Sequence, residues 1–289
     1  MKLSELLSTG RTTLSFEIFP PKVSDSEETY RNIRQAASDI SELKPDFMSV
    51  TCGAGGGASK QTLPMAQFLL EQGGVTPIAH LTCVSSTRAS VREQVAAMKA
   101  AGIENVLALR GDLPKDGDCA RDYTYASELV ADIRSQSDLC IGGACYPEGH
   151  VESETLSGDV RHLKEKVETG CDFLTSQMFF DNRMFYDFLD RIHAAGITVP
   201  VLAGIMPVTN AKVIKRACAL SGASLPQAFR YIIERFGDDP VSMQQAGIAY
   251  ATAQIVDLLA HGVRHIHLYT MNKPAVAAAI KDNISALLT

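Results

Sequence analysis

The amino-acid sequence predicts a single closed (β/α)8 barrel, and three observations carry that expectation. First, one grammar recurs along the chain: an amphipathic helix, a glycine suited to the left-handed position past a helix end, and then a short apolar strand. It is written in "EQGGVTPIAHL", "KAAGIENVLAL", "VETGCDFLTS", "HAAGITVPVLAG" and "AHGVRHIHLY", with the glycines at Gly74, Gly102, Gly170, Gly196 and Gly262. Second, the strands read as unbroken apolar runs, the pattern of a parallel sheet covered on its outer face. Third, eight such units fit in 289 residues, close to the ~250 typical of this barrel. An open doubly wound sheet is the competing architecture.

The strands are expected around 13–19, 47–52, 76–83, 105–110, 139–146, 173–179, 199–205 and 265–270. The first, "LSFEIFPPK", ends at Pro20 and Pro21, which cannot donate ladder hydrogen bonds. The fifth, "LCIGGACY", is found by spacing: Gly102 and Gly170 lie 68 residues apart, where the neighbouring gaps are 28 and 26. Helical stripes separate the strands, with Tyr30, Ile33, Ala37 and Ile40 on one face, then Val91, Val95 and Met98, then Val160, Leu163 and Val167. Between strands 7 and 8 there is room for an extra helix, "SLPQAFRYIIERFGDD", ahead of the one containing Ile248, Ile255 and Leu259. No Gly- or Pro-rich linker divides the chain, so residues 1–289 are expected to form one catalytic barrel domain without a regulatory domain.

Composition narrows the function. With 46% hydrophobic and 21% charged residues, a formal net charge of -6 and a pI near 5.7, the chain offers no basic field to attract nucleic acid or anionic membranes. Nothing resembles a signal peptide or the ~18 apolar residues that cross a bilayer. Seven cysteines, Cys52, Cys83, Cys119, Cys140, Cys145, Cys171 and Cys218, show no C-x-x-C pair, which fits a reducing cytoplasm and small buried hydrophobes.

In a (β/α)8 barrel the chemistry sits at the C-terminal ends of the strands. Those ends carry Glu17, Thr51, His80 and Thr82, Arg110 and Asp112, Tyr146 with Glu148 and His150, Gln177, and Tyr269 with Asn272. Alternation puts Leu14, Phe16 and Ile18 on the helix side of strand 1 and turns Ser15 and Glu17 inward. An enclosed carboxyl group is expected to have a raised pKa unless a cation lies close, and so to serve as a general acid. In "ALRGDLP" a fixed cation, a glycine and an anion are flanked by Leu109 and Leu113, which favours a lined pocket over a surface turn. "GAGGG", Gly53 to Gly57, lacks the Lys-Ser/Thr of a P-loop and follows the second strand, so it is no dinucleotide fingerprint. His80, Asp112 and His150, or His265 and His267 on strand 8, leave a metal-dependent lyase or hydrolase open as a rival reading, although no metal site is expected from their spacing.

Eight blocks, "LSFEIFPPK", "MSVTCGAGG", "AHLTC", "ALRGDLP", "YPEGH", "TSQMFFD", "GIMPV" and "YTMNKP", resemble the blocks of the bacterial methylenetetrahydrofolate reductase family and stand in its order. The resemblance implies a barrel carrying non-covalent FAD, which takes hydride from NADH or NADPH and reduces 5,10-methylenetetrahydrofolate to 5-methyltetrahydrofolate. It implies that Glu17 protonates the folate N10, that Asp112 hydrogen-bonds the pterin, and that Gln177 and Lys273 contact substrate. It assigns FAD contacts to Thr51, Cys52, Ala54, His80, Arg110, Gly111, Asp112, Tyr125, Ala126, Tyr146, His150, Asp159, His162 and Lys166. A cytoplasmic homo-oligomer acting on a small folate is expected, with no membrane or nucleic-acid partner. A flavin- or folate-binding subunit fed electrons by a partner is the alternative. Cys52, His162 and Glu165 stand where an aromatic, an amide and a basic residue are common in the family, and Lys273 replaces a frequent Arg, losing its planar fork.

Overall fold

The structure is a computed structural model and describes residues 1–22, 24–52, 60–84, 86–112 and 122–288. Its elements are α1 (Leu3–Leu7), β1 (Thr13–Ile18), α2 (Glu27–Ser41), β2 (Phe47–Val50), α3 (Thr62–Glu71), β3 (Pro77–Thr82), α4 (Arg88–Ala100), β4 (Asn105–Leu109), α5 (Ala126–Gln136) and β5 (Cys140–Cys145). They continue with α6 (Leu156–Glu168), β6 (Phe173–Ser176), α7 (Asn182–Ala194), β7 (Val201–Ile205), α8 (Ala211–Ser221), α9 (Gln227–Phe236), α10 (Pro240–Ala260), β8 (His265–Tyr269) and α11 (Pro274–Ile284). All eight strands are parallel, and β1 pairs with both β2 and β8, so the sheet closes on itself. The open-sheet alternative is therefore excluded. The register at closure sets Glu17 opposite Ser49 on one side and opposite Tyr269 on the other.

Strand alternation sorts two cores. Outward residues such as Phe16, Ile18, Val50, Leu81, Val106, Ile141, Leu174 and Leu268 join the helix stripes in one fully buried layer. The expected Val91, Val95 and Met98 face and the Ala37 and Ile40 face lie in it. Inward residues near the strand starts, Phe47, Ile78, Leu107, Cys140, Phe173 and Leu202, form a separate floor with Leu3, Leu6 and Leu7. These last three belong to α1, a short helix that sequence reading left unassigned. It plugs the bottom of the barrel, and buried Asn105 anchors it by accepting from the Leu3 N–H at 2.8 Å and donating to the Met1 carbonyl at 3.1 Å. The floor also needs a missing side chain: a Cβ on Gly142 would lie 2.3 Å from the Phe173 ring.

The five junction glycines all have positive φ, from 62° at Gly74 to 130° at Gly170, as the repeating grammar requires. Between β7 and β8 the chain inserts more than the single extra helix expected, because α8, α9 and α10 all lie there. They build a third apolar cluster above the ends of β6 and β7, in which Phe229 stacks between Phe180 and Tyr250 at 5.3 and 4.2 Å. Gly247 lets α10 press on the β7–α8 connection, since a Cβ there would sit 1.9 Å from the Val208 carbonyl oxygen.

The floor predicts a large single-site effect. Phe173→Ala removes a fully buried ring against Gly142, with no side chain able to fill the space, and is expected to cost about 3–5 kcal/mol, read as a lowered urea midpoint.

Candidate active site

Above the apolar floor the barrel interior turns polar. Glu17, on β1, is 7% exposed and faces inward, as alternation required. Its carbonyl oxygen accepts from the Thr270 hydroxyl at 2.7 Å. Asn272, just past β8, accepts from the Phe19 N–H at 2.8 Å and donates to the Phe19 carbonyl at 2.9 Å. Those two residues at the far end of the chain fix the backbone on either side of the carboxylate. Asn272 does so from a left-handed conformation, φ 56°, which asparagine tolerates better than most residues.

The Glu17 carboxylate meets three neighbours. The Ser49 hydroxyl donates to Oε2 at 3.3 Å, while His80 Nε2 and His267 Nε2 stand 3.5 and 3.7 Å from the same oxygen. The expected raised pKa is corrected by this arrangement. Burial remains the largest single influence and pushes the carboxyl up, but the His267 hydrogen bond, the nearby His80 and His267 rings, and the Ser49 hydroxyl together hold it below the ordinary carboxylate value. At rest Glu17 is an anion. His80 is pushed down to about 4, first by burial and also by His267, against the pull of Glu17, so it is neutral at neutral pH. The neighbour that answers the carboxylate from the far side of the barrel closure is thus a histidine of β8.

Around the mouth, two buried polar atoms have no hydrogen-bond partner among the described residues, Thr51 Oγ1 and His80 Nε2. Such orphans are costly unless a ligand or water completes them. Arg110, at the end of β4, forms a two-pronged ion pair with Glu152, at 2.6 and 2.7 Å, and its guanidinium is raised first by that hydrogen bond. This is the geometry a phosphate oxygen pair would take. Gly111 has φ 86°, and a Cβ there would crowd Val84 and Thr82 at 3.0 and 3.1 Å, so only glycine lets the chain pass this close to β3. The rings of Tyr146 and His150 meet edge to face at 4.7 Å, and His150 Nδ1 accepts from the Glu152 N–H at 3.1 Å.

Other predicted positions are more scattered. Asp112, His162, Lys273 and Tyr125 are exposed, and Lys273 donates to the Thr209 hydroxyl at 2.6 Å. Lys166 turns inward under β5 to donate to the Ala144 carbonyl, and burial lowers its pKa. Asp159 accepts from Ser153 at 3.0 Å; Ala126 opens α5; the Gln177 side chain folds back to accept from the Met178 N–H at 2.9 Å. Cys52 lies 3.6 Å from the Thr82 hydroxyl and, with His80, lines a cavity of about 230 Å³ between α3 and α4. That space is smaller than the ~300–1,000 Å³ usual for ligand pockets. Ala54 and the rest of "GAGGG", together with Leu113 and Cys119, fall outside the described residues. Among the described residues no three His, Cys, Asp or Glu groups are placed to hold a metal, so His80, Asp112 and His150 are not gathered as a ligand set.

Sequence reading missed Ser15, Ser49, Thr270 and Glu152, and misread His267. A signal for His267 existed: in a closed barrel β8 neighbours β1, so the inward positions of β8 flank those of β1.

The chain is similar to known proteins along nearly its whole length. Residues 2–285 match the family model for methylenetetrahydrofolate reductase. The 5,10-methylenetetrahydrofolate reductase of Pectobacterium carotovorum is 34% identical over 94% of this chain and 89% of its own length. That of Escherichia coli is 33% identical over 94% and 90%. A solved structure of a Clostridium thermocellum protein described as binding two copies of 5-methyl-5,6,7,8-tetrahydrofolic acid shares the fold with a TM-score of 0.68 at 17% identity, covering 98% of each chain.

The buried imidazoles predict an acid-labile fold. His80 and His265 both fall from an ordinary 6.5 to about 4, chiefly through burial. The unfolded chain therefore binds protons near 6.5 that the folded chain refuses until about 4, so their contribution is complete above pH 6.5 and is lost as pH falls towards 4. Urea midpoints are expected to decline through that window, and His265→Gln is expected to flatten the decline; an unchanged slope contradicts the assignment.

Proposed function

The chain belongs to the methylenetetrahydrofolate reductase family, and from that premise we propose that it reduces 5,10-methylenetetrahydrofolate to 5-methyltetrahydrofolate with NADH or NADPH as donor and non-covalent FAD as carrier. The observation that carries this reading is the acid–histidine–serine cluster inside the mouth, beside two orphaned polar atoms and a glycine that brings the backbone close. FAD fits the residues present: Thr51 and His80 have unused hydrogen-bonding atoms, and Arg110 presents a fork suited to an anionic group. When bound, the flavin supplies two-electron hydride chemistry.

Around it, the protein's own groups divide the work. Arg110 and Lys166 answer anionic groups, Gly111 allows close backbone approach, and Asp112 at the loop edge reaches the pterin. Gln177 and Lys273 complete the folate contacts, with Cys52, Tyr125, Ala126, Tyr146, His150, Asp159 and His162 around the cofactor. Glu17 delivers a proton to the folate N10, opening the five-membered ring so that its methylene carbon accepts hydride. Nicotinamide and folate use one site in turn, because both must reach the same flavin atom. Among the described residues no helix is long and apolar enough to cross a membrane.

The decisive measurement is an absorption spectrum of the purified protein. A flavin spectrum bleached by NAD(P)H and restored by methylenetetrahydrofolate supports the reading, whereas a colourless, flavin-free protein refutes it. For Glu17→Gln, reduction of the flavin by NAD(P)H is expected to stay within severalfold of wild type, while transfer to folate drops by about 10²–10⁴, the usual worth of a general acid. Glu152→Gln frees the Arg110 fork. Because exposed ion pairs are weak, the expected gain in FAD affinity is up to about fivefold, measured by quenching of flavin fluorescence.

A further inference from the structure

Glu17 poses a problem for the function just proposed, on which this inference rests: the residue that must give a proton is, at rest, an anion. The missing proton can be located from hydrogen-bond directions. A serine hydroxyl has a single proton to donate. The Ser15 hydroxyl lies 3.1 Å from the Ile266 carbonyl, which can only accept, and 2.7 Å from His267 Nδ1; directed at the carbonyl, it accepts from Nδ1. In that arrangement Nδ1 carries a hydrogen. The Ser49 hydroxyl spends its proton on Glu17 Oε2, so at its 3.2 Å contact with His267 Nε2 it also accepts, and Nε2 carries a hydrogen too. With both serines directed in this way, both ring nitrogens donate and His267 is an imidazolium.

We propose that His267 stores the catalytic proton and that Ser49 passes it to Glu17. The transfer is a rearrangement of two hydrogen bonds. The Nε2–H bond of His267 breaks as an O–H bond forms on Ser49; the original Ser49 O–H bond breaks as one forms on Glu17 Oε2. Glu17 then gives that proton to the substrate nitrogen. The net movement is one proton from imidazolium to substrate, with His267 left neutral and no change in oxidation state. When the mouth reopens, Glu17 takes up a proton from water and the same two bonds reverse.

The surroundings suit this role. His267 is 1% exposed, so its proton does not exchange directly with solvent and leaves by way of Ser49. The ring lies parallel to Phe47 with centroids 6.3 Å apart, which holds its plane. The titratable groups facing it are Glu17, His80 and Tyr269. His80 is neutral, and the Tyr269 hydroxyl is committed to the Ser176 carbonyl at 2.5 Å. Glu17 is thus the one charge that balances the imidazolium among the described residues. His267 and Ser49 act through Glu17 and are positioning residues, not catalytic ones.

The test begins with cofactor-free protein. Nitrogen-15 NMR of the histidine rings at neutral pH is expected to show both nitrogens of His267 protonated in the wild type and one protonated in Glu17→Gln. A neutral His267 in the wild type overturns the proposal. In the loaded enzyme, Ser49→Ala is expected to slow the folate half-reaction at least tenfold while flavin reduction by NADH stays within twofold, and Ser49→Thr, which restores the hydroxyl, is expected to recover most of the loss. A folate half-reaction unchanged in Ser49→Ala overturns the relay, as does an equal loss in both half-reactions, which marks a merely structural serine. Should Ser49→Ala fail to fold, the NMR states and Ser49→Thr still decide it. A wild type that never reduces methylenetetrahydrofolate refutes the functional reading instead, and leaves the protonation of His267 standing.

Discussion

An ionised carboxylate inside an eight-stranded barrel is the constraint from which the rest of this structure follows. Removing such a charge from water costs several kcal/mol even after relaxation, unless partners answer it. Here the answer comes from three strands: Ser49 on β2, His80 on β3 and His267 on β8. His267 reaches the carboxylate only because the sheet closes between β1 and β8, bringing together residues about 250 positions apart in the chain. Closure of the barrel and ionisation of the acid are therefore one event in energetic terms.

The apolar parts of the molecule serve that arrangement. The α1 plug and the Phe173 ring seal the bottom of the barrel, so the polar layer above them opens only towards the mouth. The insertion α8–α10 raises a wall over β6 and β7 with its own aromatic stack. Thr270 and Asn272 hold the backbone of β1 directly, so the carboxylate is aimed by the last strand as much as by its own. A site built on strand ends and fixed by a neighbouring strand is positioned more tightly than one carried on loops.

The Arg110–Glu152 pair shows the opposite strategy at the rim. Glu152 is mostly exposed, so its carboxylate returns to water at little cost, and Arg110 stays oriented without being committed. A strong charge at a mouth is kept available by a weak partner, whereas inside the barrel each charge needs a strong one.

The sequence by itself determined the architecture. A glycine with positive φ at five helix ends and an apolar run after each is enough to specify the repeat, because those signals are local and each residue's backbone preference acts alone. Alternation along β1 likewise settled that Glu17 points inward. The short α1 escaped, since five residues carry too little periodicity to mark a helix and its burial depends on a floor made by six distant strands. The charge state of Glu17 escaped for the same reason. A pKa is set by what lies within a few ångströms in space, and only the closed barrel decided that a histidine from the eighth strand and a serine from the second would be there.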